Sequence, residues 1–451
     1  MSKAASEITV GIDIGTTSVK AVAADADGNV VARSRVPHRI LVTAPDRLEH
    51  DADEAWRRGP QQALAELGDV GREARGVSVA AMVPSLTAVD ADGVPQTPGL
   101  LYGDARGGTG GSGNPAQSGE LVGFLRWSAE RYPDAAGFWP AQAVANRVLG
   151  GEAVLDTSTA ATAFPLFDWR SWDPAVASDA GITTDKLPRL VPTAHECGRV
   201  GGADGPVLAS GCIDALAEQI VAGAHDPGDV LVILGTTLIV WVVVPETEVP
   251  QDAGGFYPIP HTSPGNFLVG GPSNAGGLFV NWALDGLGAR DAGPATDPGA
   301  VPVWAPYPRG ERSPIDDPHR RAVLADLDLT HGPQAVRRAT FEGSGFVTRR
   351  AIEASGRPAR RIVATGGGIR VDEWVQALAD GTGLPVDCVE VPEGGAFGSA
   401  FLGRVAAGLE TSMLDARRWA HVARTVEPDP RWQAAMGGRY GRFLELSPRT
   451  P

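Results

Sequence analysis

The sequence is poor in lysine and has fewer basic than acidic residues. Only Lys3, Lys20 and Lys186 are lysines among the 39 basic residues, which we attribute to compositional bias of the source genome. The 54 acidic residues give a net charge of −15. Such a charge argues against a general binder of nucleic acid or anionic membranes. An anionic ligand must therefore be held by local donors rather than by the overall field.

Cysteine, clustered histidine and long apolar runs are also scarce. The three cysteines, Cys197, Cys212 and Cys388, show neither a disulfide framework nor a metal-binding spacing, which predicts reduced, mostly buried thiols. The eight histidines form no HExxH or HxH pattern. The N-terminus lacks a signal-peptide pattern, and the longest apolar run, Val230 to Val244, is too short to span a membrane. We therefore predict a cytoplasmic protein without membrane partners.

The chain is too long for a single core, so two domains are expected. Its first informative stretch is Ile8 to Arg33, which predicts a meander of three strands. The first strand contains Asp13 and is followed by the turn Gly15–Thr17. A buried carboxylate is costly unless it is paired or holds a metal. Glycine and hydroxyl groups offer donors to an anion, and a divalent cation would reconcile Asp13 with phosphate. The turn therefore suggests a site for Mg-nucleotide.

The same turn recurs in the second half of the chain. Leu234 to Thr237 repeats Ile14 to Thr17 almost letter for letter, again between two apolar runs typical of strands. A match that keeps its strand–turn–strand context favours an internal duplication. We therefore predict two related domains, each with a phosphate-binding hairpin.

Asp214 lies where a predicted strand, Pro206 to Ser210, gives way to a helix that starts near Ala215. Two interpretations of this position are open. An aspartate before a helix is a common N-cap. Alternatively, Asp214 is a general base held at a domain boundary.

Two glycine-rich segments differ in their sequence context. Gly366–Gly368 comes between a predicted strand and a helix, an arrangement flat enough for a base or ribose and polar enough for phosphate. Gly107–Gly113 lacks the Lys-Ser/Thr of a phosphate-binding loop. A flexible surface loop is the better interpretation of that second segment.

The order of these motifs resembles the FGGY carbohydrate kinases of the actin/hexokinase/Hsp70 superfamily. The resemblance covers nearly the whole chain, and its most specific pieces are GIDIGTTSVKAV, GCIDA, ILGTT, YPRGERSPIDDP, TGGGIRVDEWVQALADGTGLPV and EGGAFGSAFLG. It implies an α/β fold with two related ribonuclease-H-like (actin-like ATPase) domains and a deep cleft between them. We place the domains at residues 1–226 and 227–451. The gluconate-kinase-like and xylulose-kinase-like branches are the most similar.

The resemblance also implies roles for individual residues. Asp214 matches the catalytic base, and Asp13 matches the Mg-associated acid, with Asp214 as a second metal neighbour. Arg312, in the Gly-Glu-Arg motif, matches a position whose role can be structural. The positions that match ATP-binding motifs are Gly15, Thr16, Thr17, Gly235, Thr236, Thr237, Gly366, Gly367 and Gly368. Asp104 and Arg106 match a sugar-contacting segment, and Lys20 is interpreted as solvent-facing.

The segment Ala81 to Leu86 departs from the family, because it lacks the histidine that many sugar-handling members carry there. Ser85 in this segment is a further candidate substrate contact. The predicted function is ATP- and Mg²⁺-dependent phosphorylation of a small sugar, polyol or sugar acid. The alternatives are a nucleotide-binding regulator of the same fold and a kinase for a non-sugar hydroxylated metabolite. The sequence leaves the oligomeric state open, a homodimer being one state known in the family.

Overall fold

The predicted N-terminal meander forms one side of a six-stranded sheet in the computed structural model, which describes residues 7–44, 47–108, 119–261, 263–391 and 393–448. Strands β1 (Thr9–Ile14), β2 (Ser18–Ala24) and β3 (Val30–Pro37) pair antiparallel. Their apolar side chains explain why the first two strands are almost wholly buried. The predicted strand–turn–strand at Ile8 to Arg33 is therefore confirmed.

The chain divides into two compact units. The first contains Met1–Val221 and Val391–Trp419, and the second contains Ala222–Glu390 and Ala420–Pro451. This division differs from the predicted domains, 1–226 and 227–451, because residues 391–419 return to the first unit. The predicted flexible loop at Gly107–Gly113 lies mostly outside the described residues.

Among the described residues, ten further strands belong to the first unit and nine to the second. In the first unit they are β4 (Leu41–Ala44), β5 (Arg47–His50), β6 (Gly76–Ala81), β7 (Ser85–Val89), β8 (Gly99–Leu101), β9 (Gly137–Trp139), β10 (Val154–Asp156), β11 (Arg189–Val191), β12 (Glu196–Arg199) and β13 (Val207–Ile213). In the second unit they are β14 (Asp229–Leu234), β15 (Leu238–Pro245), β16 (Tyr257–Pro260), β17 (Asn266–Ser273), β18 (Val303–Ala305), β19 (Val323–Ala325), β20 (Arg361–Thr365), β21 (Val386–Val389) and β22 (Val422–Val426).

The helices cover both units. They are α1 (Gly59–Ala65), α2 (Asp69–Arg72), α3 (Glu120–Arg131), α4 (Ala141–Leu149), α5 (Thr157–Ala160), α6 (Pro174–Asp179), α7 (Asp214–Ala222), α8 (Gly277–Gly286), α9 (Pro333–Ala354), α10 (Asp372–Thr382), α11 (Gly395–Ala406) and α12 (Pro430–Leu446). A π-helical turn at Asp53–Arg58 precedes α1, and short 3-10 turns include Ala105–Gly107 and Gly367–Arg370. None of the helices in the described ranges combines the length and apolarity that crossing a membrane requires.

The main sheets of the two units share one order over six strands, and the second sheet has β16 as an additional edge strand. The first sheet runs β12-β13-β6-β1-β2-β3, and the second runs β16-β17-β15-β14-β20-β21-β22. In each, an antiparallel meander continues into two parallel strands, β6 and β13 or β20 and β21, with an antiparallel strand at the far edge. The repeated order supports the predicted internal duplication and is an α/β architecture.

Each of the two main sheets packs against an apolar core. The first unit has a second core around the smaller sheet β4-β5-β8-β7-β9, into which Phe124 and Phe138 pack. The predicted buried thiols are confirmed, because Cys197, Cys212 and Cys388 are all buried and free.

Candidate functional site

The first Gly-Thr-Thr turn is a tight connection between β1 and β2. The N–H of Gly15 donates to the carbonyl of Ser18 at 3.1 Å, which closes the turn. Thr17 is exposed at its tip. The hydroxyl of Thr16 lies 3.0 Å from the hydroxyl of Tyr102. The turn therefore presents backbone and hydroxyl groups, as the sequence predicts for an anion site.

Asp13 is a buried carboxylate one residue before the end of β1. It is 8% exposed, and its Oδ1 has no hydrogen-bond partner within the described part of the chain. Burial, and after it the negative charge of Asp214, raises the pKa of Asp13 to about 7, although the charge of Lys20 acts to lower it. An ionised Asp13 is therefore destabilised in the protein alone, and a cation beside it would relieve that cost.

Asp214 is the first residue of α7, so the predicted strand-to-helix junction is confirmed. Its Oδ1 accepts a hydrogen bond from the N–H of Ala215 at 2.7 Å. Burial raises the pKa of Asp214 to about 6. The hydrogen bond from Ala215 acts to lower this pKa, and the charge of Glu218 acts to raise it. The carboxylate is thus ionised at neutral pH yet more basic than an ordinary aspartate, which suits a proton acceptor.

Helix α11 brings a third element to these carboxylates. A Cβ at Gly395, the first residue of α11, would lie 3.3 Å from the Asp13 carboxylate carbon and 3.4 Å from the Cα of Asp214. A Cβ at Gly11 would overlap the backbone of Ala396, and one at Gly398 would overlap the carbonyl of Ala217. Small residues therefore let α11 rest directly on β1 and α7. This packing explains why residues 391–419 belong to the first unit.

Lys20 occupies a less exposed position than predicted. It pairs with Asp13 in the β1–β2 register, and its ammonium group lies 3.8 Å from Glu393. Its side chain is 30% exposed. The prediction of a solvent-facing residue is therefore incomplete, because the register of the hairpin places Lys20 beside the buried acid.

The predicted sugar-contacting pair, Asp104 and Arg106, forms a buried ion cluster with Glu49. Arg106 donates to both carboxylate oxygens of Asp104 at 2.8 and 2.6 Å, and it lies 2.6 Å from Glu49. Burial acts to raise the pKa of Asp104, but the bonds from Arg106 and from the N–H of Leu48 hold it below its usual value. These bonds support the local fold, and a direct contact with substrate stays a prediction.

Ser85 is also engaged in the local fold. Its side chain is buried, and its hydroxyl accepts a hydrogen bond from the N–H of Ala141 at 3.1 Å, at the start of α4. The hydroxyl thereby satisfies one of the unpaired N–H groups of that helix end. The structure thus gives Ser85 a structural partner, and a substrate contact stays a prediction.

The second Gly-Thr-Thr turn connects β14 and β15 in the second unit. Leu234 pairs with Leu238 across it. The first N–H groups of α8 donate to the turn, from Gly277 to the carbonyl of Gly235 at 2.8 Å and from Leu278 to that of Thr236 at 3.1 Å. The carbonyl groups of Gly235 and Thr236 are therefore occupied by the first N–H groups of α8.

A cavity of about 640 Å³ lies beside this second turn. It is lined by Gly235 and Thr236 together with Gly367 and Gly368, so the structure brings two separately predicted motifs into one site. Gly366 has a φ of +85°, and a Cβ there would lie 2.9 Å from the carbonyl of Leu234. Glycine at this position therefore allows the two turns to approach each other.

The wall of this cavity contains residues that sequence reasoning missed. They are Leu278, Asn281, Arg290, Arg337, Phe341, Val371 and Trp374. They come from α8, α9, α10 and the chain between them, so no local spacing could have identified them. Arg337 is paired with Glu373 at 3.0 Å, and Arg290 is paired with Asp285.

Arg312 contacts the second turn. Its guanidinium donates to the hydroxyl of Thr237 at 3.2 Å. Its neighbour Glu311 accepts bonds from the hydroxyl of Ser273 at 2.8 Å and from the N–H of Asn274 at 3.1 Å. The Gly-Glu-Arg segment therefore anchors β17 and reaches the predicted phosphate-binding hairpin.

Within the described residues, no group of three or more His, Cys, Asp or Glu side chains forms a metal site by itself. The unpaired Oδ1 of Asp13 and the nearby carboxylate of Asp214 nevertheless fit a hard divalent cation. Mg²⁺ commonly takes one or two protein carboxylates and completes its shell with water and phosphate oxygens. The carboxylates of Asp13 and Asp214 match this coordination preference.

Two family models match the chain. The N-terminal domain of the FGGY family of carbohydrate kinases matches residues 8–109, and its C-terminal domain matches residues 230–407. The first match contains Asp13 and the Gly15–Thr17 turn. The second contains the Gly235–Thr237 turn and Gly366–Gly368. Asp214 lies between the two matched segments, so its role depends on the geometry described above.

Curated proteins and solved structures match over nearly the full length. Xylulose kinase of Escherichia coli is 25% identical, covering 97% of this chain and 98% of its own. Gluconokinase of Bacillus subtilis is 25% identical, covering 88% of this chain and 87% of its own. A crystal structure of xylulose kinase from Rhodospirillum rubrum aligns with a TM-score of 0.84 at 23% identity, covering 98% of each chain. The chain belongs to the FGGY family of carbohydrate kinases, and its two units have the actin-like ATPase fold.

Proposed function

We propose that the chain transfers the γ-phosphoryl group of ATP to a hydroxyl of a ketose or sugar acid, with Asp214 as the general base. The observation that carries this proposal is the pairing of Asp13 and Asp214 beside the Gly15–Thr17 turn. The charge of Asp214 raises the pKa of Asp13. Family membership supports the reaction class, and the relatives that are named kinases disfavour a pure regulator.

In this proposal, Asp214 accepts the proton of the attacking hydroxyl. Its raised pKa, about 6, keeps it ionised at neutral pH while strengthening it as a base. Proton transfer is only part of the catalysis, because phosphoryl transfer depends mainly on positioning and on neutralising the phosphate charge. Asp214 is the first helical residue of α7 and accepts the N–H of Ala215, a local bond that is compatible with the base interpretation.

Asp13 and Asp214 would hold Mg²⁺ on the first unit. The unpaired Oδ1 of Asp13 supports this assignment. When bound, Mg²⁺ neutralises negative charge on the phosphate oxygens. Gly15, Thr16 and Thr17 would offer their N–H and hydroxyl groups to the same phosphates, and the register pair of Asp13 and Lys20 places a positive charge nearby.

The cavity of the second unit would take the nucleotide. Gly235, Thr236 and Thr237 would bind phosphate, while Gly366–Gly368 and the flat face of Trp374 would border the adenosine. Arg290 and Arg337 line this cavity, and each is already paired with a carboxylate, Asp285 and Glu373 respectively. The volume of about 640 Å³ is within the range of ligand pockets in proteins.

The names of the relatives, xylulose kinase and gluconokinase, suggest which class of compound accepts the phosphate. A ketopentose and an aldonate are therefore the first substrates to test. Asp104, Arg106 and Ser85 stay predicted contacts for the acceptor. Homodimerisation and a cytoplasmic location also remain predictions.

The test is a screen of ketoses, polyols and aldonates for substrate-dependent ADP release, followed by Asp214→Asn on the best substrate. We expect kcat to fall by about 10²–10⁴-fold, the usual contribution of a general base, with ADP binding retained. Asp173→Asn is the matched control, because Asp173 caps α6 through the N–H groups of Ala175 and Val176. Near wild-type turnover in Asp214→Asn would contradict the assignment. Tight ATP binding without turnover on any acceptor would instead favour the regulator.

A further inference from the structure

We infer that His50 is a positioning residue that holds the Gly15–Thr17 turn in its phosphate-binding conformation. His50 is the last residue of β5 and is fully buried. Its Nε2 lies 2.9 Å from the carbonyl oxygen of Thr16. The inference rests on the proposed function, because it assumes that this turn binds phosphate.

Trp56 decides which nitrogen of His50 carries the proton. The indole N–H of Trp56 lies 3.0 Å from Nδ1 of His50. An indole nitrogen can only donate, so Nδ1 must be the unprotonated acceptor. Nε2 then carries the hydrogen and donates it to the Thr16 carbonyl. The two bonds together select one tautomer and one ring orientation.

The bond to Thr16 has a direct consequence for the phosphate side of the turn. A peptide unit is planar and trans, so the carbonyl of Thr16 and the N–H of Thr17 point in opposite directions. By fixing the carbonyl inward, His50 directs the Thr17 N–H outward, on the exposed side of the turn. The next carbonyl, that of Thr17, accepts the backbone N–H of His38 at 3.0 Å. Two successive peptide units of the turn are thus held by hydrogen bonds to His50 and His38.

His50 stays neutral over the working pH range. Burial lowers the pKa of His50 to about 4. The bond to the Thr16 carbonyl acts to raise this pKa, and His38 acts to lower it. The rings of His38 and His50 meet edge to face at 4.4 Å between centroids. Protonation of Nδ1 would destroy the bond from Trp56, so the neutral state preserves the arrangement. His50 therefore keeps its bond to the Thr16 carbonyl throughout this pH range.

A buried histidine can also be an ordinary core residue, and kinetics separate the two roles. A residue that only stabilises the fold changes the melting temperature and leaves the KM values of the folded enzyme unchanged. A residue that positions the turn changes the affinity for nucleotide and leaves the KM for the sugar unchanged. The test therefore measures the KM for ATP, the KM for the sugar and ADP affinity by calorimetry.

The central variants are His50→Leu and His50→Gln in the full chain. Leucine fills the space but leaves the Thr16 carbonyl and the Trp56 N–H without their partner. We expect the KM for ATP and the Kd for ADP to rise about tenfold, the effect of losing roughly 1.4 kcal/mol of binding. Glutamine restores one donor and one acceptor, so both values should stay within about threefold of wild type.

His261→Leu is the matched control. His261 is a buried histidine of the second unit with the same pair of bonds, from the N–H of Ser263 to Nδ1 and between Nε2 and the Ala224 carbonyl. It should lower the melting temperature and leave the nucleotide constants unchanged. If His50→Leu fails to fold, Trp56→Phe decides, because it removes the N–H that selects the tautomer while keeping an aromatic ring in the core, and it should raise the KM for ATP several-fold.

Nitrogen NMR of the histidine rings gives an independent readout, in which His50 should appear as the Nε2–H tautomer at pH 7. The inference is overturned if the wild-type enzyme binds ADP while His50→Leu binds it equally tightly, or if the Nδ1–H tautomer is found. Absence of ADP binding by the wild-type protein would instead contradict the proposed function. The two failures are therefore distinguishable.

Discussion

Asp13, near the end of β1, lies close enough to Asp214, at the start of α7, that the charge of Asp214 raises its pKa. Gly395 lies against both residues, so no side chain separates them there. Two carboxylates in such a position repel each other unless a proton or a cation is shared. Under the proposed function, we therefore expect the pair to link proton concentration, metal binding and catalysis in the first unit.

The first prediction concerns the acid limb of the pH–rate profile. Asp214 must be ionised to accept a proton, and its pKa is about 6. The rate constant kcat/KM should therefore fall as the pH drops below about 6. The phosphate of ATP titrates in the same region. Asp214→Glu distinguishes the two, because the limb moves in this variant only if it belongs to residue 214; an unmoved limb would assign it to ATP.

The second prediction concerns Asp13→Asn and stability. The pKa of Asp13 is raised in the folded protein, to about 7, so ionisation costs stability as the pH rises from about 4 through 7. Without metal, Asp13→Asn should therefore raise the melting temperature more at pH 8 than at pH 5. Mg²⁺ should stabilise the wild-type protein at pH 8 and have a much smaller effect on the variant. Equal stabilisation of both proteins by Mg²⁺ would place the cation elsewhere.

A third prediction compares two neighbouring glycines, Gly366 and Gly367, of the turn beside the cavity of the second unit. Gly366 has a φ of +85° and no room for a Cβ beside Leu234, so Gly366→Ala should lower the melting temperature. Gly367 lines the cavity, and a Cβ there meets nothing within 4 Å. Gly367→Val should therefore keep the stability and raise the KM for ATP. The same KM in Gly367→Val and wild type would exclude this turn from the nucleotide site.

The fourth prediction separates the two roles of Arg106. Arg106→Met removes the cation between Asp104 and Glu49, all three of whose side chains are nearly buried. Breaking a buried ion pair typically costs about 3–5 kcal/mol. The free energy of unfolding in urea should fall by a similar amount at pH 7. The loss should shrink at low pH, because the lowered pKa of Asp104 means that its contribution to stability disappears as the pH falls.

If Arg106 also contacts the acceptor, the folded variant shows a higher KM for the sugar at an unchanged KM for ATP. Arg189→Met is a control for surface charge, since Arg189 pairs with Glu152 at an exposed position. Its effect on stability should be below about 1 kcal/mol. An unchanged sugar KM in Arg106→Met would leave Arg106 with a structural role alone.

The local elements of the site could be predicted from the sequence. The turns at Gly15–Thr17 and Gly235–Thr237 each lie between two apolar strands, and short-range patterning is enough to specify such hairpins. Asp214 could be located for the same reason, because a strand and a helix meet at it. The order of these motifs along the chain also indicated the family, which the two family models confirm.

Other features could not be predicted, because they depend on packing between distant segments. Lys20 illustrates the limit: its spacing allowed a solvent-facing position, whereas the register of β1 and β2 places it beside Asp13. Asp104 and Arg106 were recognised by motif, but their burial with Glu49 became visible only in three dimensions. His50 carried no sequence signal of its own.

Residues adjacent in the chain are enough to specify the pair of Gly-Thr-Thr hairpins and the acid before the first of them. Packing in three dimensions, by contrast, returns α11 to the first unit and makes Gly395 a common neighbour of Asp13 and Asp214. It also brings His50 to the Thr16 carbonyl and places Gly235 and Gly367 in one cavity. These relations depend on the close packing of small residues and on burial, which join segments far apart in the sequence.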